Sequence, residues 1–249
     1  MMKVLVSGCL GHMGKILSDM IRSDDELTLA CGVDKSADEN LFAEPIFKTF
    51  ADVNVDIDII IDFSHHSFTL DLVKFAESKN VPLVIATTAQ TEEEKNIIIE
   101  ASKHIPIFFA ANYSIGIAVL IDLAKNVANK FKNADIEIVE THHNRKIDAP
   151  SGTALKIAEG LKEVRPDANL IMGRSGNVKR EKNDIGINSV RLGNVVGIHE
   201  VLISTEHECI SLKHEAYDRG LFAEGAIKAA KYLKDKKLGL YDMKKMIGG

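Results

Sequence analysis

Residues 140–154 read Glu-Thr-His-His-Asn-Arg-Lys-Ile-Asp-Ala-Pro-Ser-Gly-Thr-Ala and concentrate the titratable chemistry of the chain. His142, His143, Arg145 and Lys146 all belong to side-chain types that can carry positive charge, and they share one short polar run. Imidazole and ammonium groups placed together can move a proton beside a bound anion. Pro150 disfavours helix at Ala149, so residues 144–150 are expected to form a loop. Ser151 then reads as an N-cap, with Gly152 and Thr153 offering backbone N–H groups at the positive end of a helix dipole. An anion belongs there. A histidine pair at a strand end is by itself more often structural, and an Arg-Lys pair in a loop is usually solvated. Convergence of the three signals favours a pocket for a carboxylated substrate.

Several elements must position these groups. Residues 135–141 alternate apolar Ile136, Ile138 and Val139 with charged residues, which suits a strand ending at the histidines. At the other end of the chain, the β-rich run 3–7 leads directly into Gly8-Cys9-Leu10-Gly11-His12-Met13-Gly14 and the helical spacing of Ile16, Leu17, Met20 and Ile21. Strand, glycine turn and helix in that order form a cradle for a pyrophosphate, because a Cβ would hold the phosphates away from the amides. The spacing is G-x-x-G-x-x-G, so the G-x-G-x-x-G fingerprint is not met. A second strand, 27–33, ends at Asp34, where an acid commonly accepts from an adenosine ribose hydroxyl. Lys35 follows and is suited to a 2′-phosphate, so the pair suggests that NADH and NADPH are both accepted.

Runs 58–63, 82–87 and 105–110 read as further buried strands, separated by helical spacing over 68–78 and by the capping box opened by Thr91 and Glu94. Strands alternating with helices predict a doubly wound, Rossmann-like, mainly parallel sheet in the α/β class. Ligands bind outside the carboxyl ends of such strands, which here carry Phe63, then Ala86, Thr87 and Thr88, then Ala110, Ala111, Asn112 and Tyr113. Phe63 and Tyr113 read equally well as core aromatics. Beyond Ser114 the pattern changes to a helix over 117–129, the strand and loop of the histidines, and a helix from 153 to about 164. Residues 165–186 predict a long mobile loop, and the runs 187–192, 195–204 and 209–216 predict an open, mainly antiparallel sheet in a second α+β domain. Its open edge favours self-association. A helix over 222–233 is expected to return to the first domain.

The 249 residues carry 31 Lys plus Arg against 36 Asp plus Glu, and the formal charge of -5 argues against a general affinity for nucleic acid or anionic membranes. No apolar run reaches the ~20 residues that span a bilayer, and the start enters a strand with no signal-peptide core, so a cytoplasmic protein is expected. Cys9, Cys31 and Cys209 are odd in number and far apart, which suggests neither a disulfide framework nor a metal site.

The run His142 to Ala154 resembles the signature of the 4-hydroxy-tetrahydrodipicolinate reductase (dihydrodipicolinate reductase) family of the bacterial diaminopimelate and lysine pathway. The likeness extends to His12-Met13-Gly14, Asp62-Phe63-Ser64, 110–114, Arg191 with Gly193, Val196-Gly197 with His199, Arg219 with Phe222 and Ala223, and the closing 239–243. It implies a nicotinamide-binding domain (1–114 and 219–249) split around a substrate-binding and tetramerisation domain (115–218). It also implies reduction of a dicarboxylate cyclic imine, and a homotetramer. By resemblance His142 is proton donor or acceptor, Lys146 is proton donor, and His143, Gly152 and Thr153 touch substrate beside the Ser151 cap. Cofactor contacts fall on Gly8, Cys9, Leu10, Gly11, His12, Met13, Asp34, Lys35, the backbone of 86–88, and 110–113. Three departures stand out. Ala86-Thr87-Thr88-Ala89 replaces a usual Gly-Thr-Thr-Gly, Leu10 stands where glycine is common, and His65-His66 replaces a segment that usually contains proline. Two other readings of the residues are an NAD(P)-binding sensor without turnover and a reductase of another small anionic carbonyl or imine.

Overall fold

The computed structural model describes residues 1–37 and 42–248. In chain order the elements are β1 (Met2–Ser7), α1 (His12–Arg22), β2 (Leu27–Val33), β3 (Ile46–Phe47), β4 (Ile59–Asp62), α2 (Thr69–Lys79), β5 (Leu83–Ile85), α3 (Glu92–Ala101) and β6 (Pro106–Phe109). There follow α4 (Ile115–Lys130), β7 (Asp135–His142), α5 (Gly152–Lys162), β8 (Asn169–Met172), β9 (Asp184–Arg191), β10 (Gly197–Ser204) and β11 (Cys209–Ala216). The chain ends with α6 (Gly220–Leu233), β12 (Gly239–Tyr241) and α7 (Met243–Ile247). Two compact units result, Met1–Ser114 with Gly220–Gly249, and Ile115–Arg219.

The first unit is a seven-stranded parallel sheet in the order β12-β6-β5-β4-β1-β2-β3. Val4, Leu5 and Val6 on β1 and Ile59, Ile60 and Ile61 on β4 are buried on both faces, as a helix-covered parallel sheet requires. Each such side chain contributes about 1.5–3 kcal/mol of burial. The small face of α6, with Ala223, Gly225, Ala226, Ala229 and Ala230, lets that helix lie close on the sheet. A Cβ at Gly225 would stand 1.7 Å from the Tyr113 carbonyl oxygen. The α3 capping box forms as expected, with Thr91 and Glu94 each satisfying the other's backbone N–H.

The second unit is a five-stranded sheet in the order β11-β10-β7-β9-β8. Its orientation is mixed and not mainly antiparallel: β11/β10 and β10/β7 run antiparallel, whereas β7/β9 and β9/β8 are parallel. The parallel half arises because α5 carries the chain back after β7 and residues 173–183 carry it back after β8, so β7, β8 and β9 start from the same end. Ile136, Ile138, Val201 and Ile203 pack against Ile117, Leu120, Ile157 and Leu161 of the two helices. The expected loop over 165–186 contains β8 and the start of β9. β8 is an edge strand with only Leu170 and Ile171 partly buried, so its apolar signal is faint among polar neighbours. The rest of that segment is tied down rather than free. Arg174 Nη1 pairs with Asp184 (3.1 Å), and Arg180 Nη2 donates to the Asp184 carbonyl (2.6 Å).

Candidate functional site

In the first unit, strand register builds a common edge. Ser7 pairs with Val33 and with Asp62, Asp62 with Ile85, and Ile85 with Phe109. The residues that follow, Gly8, Asp34, Phe63, Ala86 and Ala110, therefore leave the sheet at the same carboxyl end, where ligands of such sheets bind. Gly8 has φ +76°, and a Cβ there would lie 2.6 Å from the Phe63 carbonyl oxygen, so the turn admits only glycine. A Cβ on Gly14 would stand 2.0 Å from the Gly8 oxygen, which fixes α1 tightly against the turn. Gly11 is the N-cap of α1 and no side chain caps it, so the His12 and Met13 amides open the helix at its positive end. Ser7, Gly8, Gly11, Asp34, Lys35 and Phe63 line part of a cavity of about 780 Å³. That volume falls within the range typical of small-molecule and cofactor sites.

Not every expected contact residue offers a side chain. Cys9 is buried against Gly32, and burial, with Asp34 nearby, pushes its thiol up to about 12, so only its backbone is available. The Leu10 amide donates to Asp34 Oδ2 (3.2 Å), while Asp34 Oδ1 accepts from Ser36 N (3.0 Å). Lys35 and Thr88 are exposed, Thr87 is buried, and Ala111 is exposed beside the half-buried Asn112, whose Oδ1 accepts from Ser114 N. Tyr113 is a core residue. Its hydroxyl reaches the Ile85 carbonyl (2.8 Å) and Gly225 covers its own carbonyl, so no side-chain atom is left for a dinucleotide. The Ala110 side chain is buried, as is that of Ala86, whose amide donates to the Asp62 carbonyl (2.9 Å).

The second unit gathers a denser polar cluster at the end of β7. Alternation puts Ile136, Ile138, Glu140 and His142 on its covered face. Glu140 is 0% exposed. Arg191 on β9 grips it with both arms, Nη1 to Oε2 (3.0 Å) and Nη2 to Oε1 (2.9 Å). The Ser151 amide donates to Oε1 (3.2 Å), and His142 Nδ1 bonds Oε2. Burial alone would raise the Glu140 carboxyl, but the hydrogen bonds from Arg191, Ser189 and His142 outweigh it and hold the group below the usual range.

His199, opposite on β10, stacks edge-on against the His142 ring with centroids 5.2 Å apart, and its Nε2 meets Ser151 Oγ at 3.2 Å. Burial and the charge of His142 push His199 down to about 3, so it is neutral. Ser151 caps α5 as expected, accepting from Ala154 N (3.1 Å). Around Gly152 there is open space: a Cβ would meet no atom within 4 Å. Thr153 follows in the first turn, half-buried. Burial, and then the charges of Arg145, His142, Lys146 and Arg219, push His143 down, and among the described residues its buried Nδ1 has no partner. Lys146 pairs with Asp148 at 2.7 Å, and the Asp148 carbonyl takes Arg191 Nη2 at 2.6 Å. The predicted residues His142, Ser151 and the start of α5 thus meet through Glu140, with Lys146 on the loop joining them.

Three residues that sequence reasoning had not counted as site residues hold this cluster together: Glu140, Arg191 and His199. A signal for Glu140 was present, since it occupies the buried register of a strand whose other inward positions are Ile136, Ile138 and His142.

The chain matches known proteins along its whole length. The family model described as dihydrodipicolinate reductase, N-terminus, covers residues 2–113, and that described as dihydrodipicolinate reductase, C-terminus, covers residues 116–247. A 4-hydroxy-tetrahydrodipicolinate reductase of Clostridium tetani is 43% identical over 99% of this chain and 97% of its own length. One from Caldanaerobacter subterraneus is also 43% identical, over 99% of this chain and 98% of its own. Among solved structures, a dipicolinate-bound dihydrodipicolinate reductase from Paenisporosarcina sp. TG-14 superposes with a TM-score of 0.83, covers 97% of each chain and shares 24% identity.

Proposed function

Since the chain belongs to the dihydrodipicolinate reductase family, we propose that the residues at the end of β7 and the start of α5 handle the substrate and its proton, and that the glycine turn holds the cofactor. The reaction is the nicotinamide-dependent reduction of 4-hydroxy-tetrahydrodipicolinate to tetrahydrodipicolinate in diaminopimelate and lysine biosynthesis. A bound nicotinamide supplies the hydride. The observation that carries the site assignment is the meeting of His142 and the capped start of α5 on one buried carboxylate. The Gly152 and Thr153 amides and a neutral His143 are suited to grip a carboxylate of the cyclic imine. His142 or Lys146 gives the proton that balances the transferred charge.

For the cofactor, Gly8 to Met13 cradle the pyrophosphate by backbone, and Asp34, Lys35 and Phe63 line the cavity beside it. The segments 86–88 and 110–112 contribute at the same sheet edge. Asp34 favours NADH, whereas Lys35, with Lys48 and Lys74 on the same cavity, suits the extra phosphate of NADPH, so both are expected to bind. We assign cofactor binding to the unit 1–114 with 220–249, and substrate binding and assembly to 115–219. β11 forms an open sheet edge, which supports a homotetramer built on this unit, to be checked by light scattering. A cytoplasmic site follows from the biosynthetic role. No observation favours a module that binds the cofactor without turnover.

The test is direct. The purified chain, mixed with NADH or NADPH and substrate freshly made from pyruvate and aspartate semialdehyde, is expected to consume nicotinamide absorbance. His142→Gln is expected to lower kcat by roughly 10²–10⁴-fold with KM little changed, the signature of a lost proton-transfer group. Lys146→Ala is expected to be comparably severe. Normal turnover in either variant removes that residue from the proton step.

A further inference from the structure

The reaction as described gives no part to the Glu140 carboxylate, the buried acid at the centre of the cluster. A carboxylate with no exposure persists only if it is densely paired, and besides the Ser189 hydroxyl each Glu140 oxygen has at least two partners. Oε1 takes the Ser151 amide and one arm of Arg191, and Oε2 takes the other arm and His142 Nδ1. An ionised carboxylate only accepts and Arg191 does not lose its proton, so the His142 contact has one polarity, with Nδ1 carrying the hydrogen. The ring's other nitrogen is then the one left for chemistry. Gly197 keeps that edge clear, because a Cβ there would stand 3.1 Å from His142 Nε2.

We propose that Glu140 is a positioning residue for the reduction: it locks His142 in the Nδ1–H tautomer and in one ring orientation, and so presents Nε2 as the proton-handling atom, while Arg191 keeps the carboxylate ionised. The inference rests on the reading of His142 as the proton group. It extends that reading to a residue that touches neither substrate nor cofactor.

The first test needs no variant at Glu140. In ¹⁵N NMR of the full chain labelled at histidine, with the His142 signals assigned by their loss in His142→Gln, neutral His142 is expected to show a protonated Nδ1 and a bare Nε2. The opposite tautomer overturns the proposal. The second test is kinetic. In Glu140→Gln the amide nitrogen faces one Arg191 arm whichever way the group turns, and a neutral amide replaces the carboxylate that holds Nδ1–H, so the imidazole loses its charged acceptor. The expected result is a fall in kcat of roughly 10–100-fold, the size typical for the loss of a group that orients a functional histidine, with KM little changed. Because Glu140 acts through His142, adding Glu140→Gln to His142→Gln is expected to cost nothing further. Losses that multiply overturn the proposal, as does a folded Glu140→Gln with parental kcat. If Glu140→Gln does not fold, the parent spectrum decides. If His142→Gln turns over normally, the proton assignment fails, while the tautomer still reports on Glu140 by itself.

Discussion

Each unit buries one carboxylate at the carboxyl end of a strand, and the two are managed in opposite ways. Asp62, on β4, is 1% exposed and is satisfied by neutral donors, the Ser64 hydroxyl (2.5 Å) and amide (3.2 Å). Among the described residues it has no ion pair, and burial raises its carboxyl despite those bonds. Glu140, on β7, is as deeply buried, yet Arg191 and His142 hold it low. Burial alone thus does not set the direction in which an inward acid shifts; the donors decide it. The difference matches what each unit offers a ligand. In the proposed sites, the first presents only backbone amides of a glycine turn to an anion, whereas the second sets charged side chains around a fixed carboxylate beside the α5 amides.

Removing the cation should break this contrast most sharply. Arg191→Met leaves Glu140 as an uncompensated buried charge, and the second unit is expected to lose about 3 kcal/mol, the low end for broken buried pairs because the Arg191 side chain keeps 20% exposure. Urea denaturation followed by circular dichroism measures it, and a loss under about 1 kcal/mol would show that Arg191 does not hold the charge. Asp62→Asn, by contrast, removes an ionisation that burial disfavours more than its neutral donors favour it, and stability at pH 7 is expected to be unchanged or higher. The two acids also respond oppositely to pH. Glu140 is lowered in the folded state, so its stabilisation is present above the unfolded glutamate value, about 4.3, and is lost as pH falls through the folded value. Asp62 is raised, so stability is lost as pH rises from the unfolded aspartate value, about 3.9, through the folded one. Asp62→Asn is therefore expected to make stability rise more steeply with pH above 3.9, and an unchanged slope would mean that Asp62 titrates normally.

The same contrast explains what the sequence could and could not reveal. The glycine turn, the strands 27–33 and 209–216 and the Ser151 cap depend on neighbours in sequence, so spacing exposes them. The site's hub does not. Arg191 meets Glu140 across 51 residues, and Ser151 meets His199 across 48, because sheet register brings β9 and β10 beside β7. Spacing does not mark Arg191 as different from the other arginines of its region; only the family likeness, through Arg191 with Gly193, points to it. Glu140 reads from sequence as the polar boundary of an apolar strand, whereas its even spacing from Ile136 and Ile138 makes it an inward residue. β8 and the two-residue β3 escaped for a simpler reason: both are short edges with little buried surface.

Glycines sharpen the comparison at smaller amplitude. Gly8→Ala forces a Cβ to within 2.6 Å of backbone at φ +76°, a conformation that costs an L-residue about 1–2 kcal/mol before the clash is added. Lower stability and loss of NADH binding, followed by fluorescence titration, are the expected result; parental affinity would remove the turn from the cofactor site. Gly152→Ala meets nothing within 4 Å, so its melting temperature is expected to stay near the parent's. An effect confined to the substrate KM would place the substrate carboxylate at that amide, whereas an unchanged KM would place it elsewhere.

The smallest expected effect lies at Ala89, where the chain departs from the glycine usual in its family. Ala89 keeps φ +69°, the left-handed region that glycine occupies without cost. Its methyl has therefore not moved the backbone into an ordinary conformation, and the turn after β5 is held in shape by its surroundings. The buried Gln90, whose Nε2 donates to the Thr87 carbonyl (2.9 Å), is one such tie. Ala89→Gly removes the left-handed penalty but gives the unfolded chain more freedom, and the two terms oppose each other. A net gain of about 0.5–1 kcal/mol is expected, read as a higher urea midpoint at unchanged slope. Because the backbone is already glycine-like, NADH affinity should change little. A large gain in affinity would mean that the methyl itself, and not the conformation, obstructs the cofactor edge of the first unit.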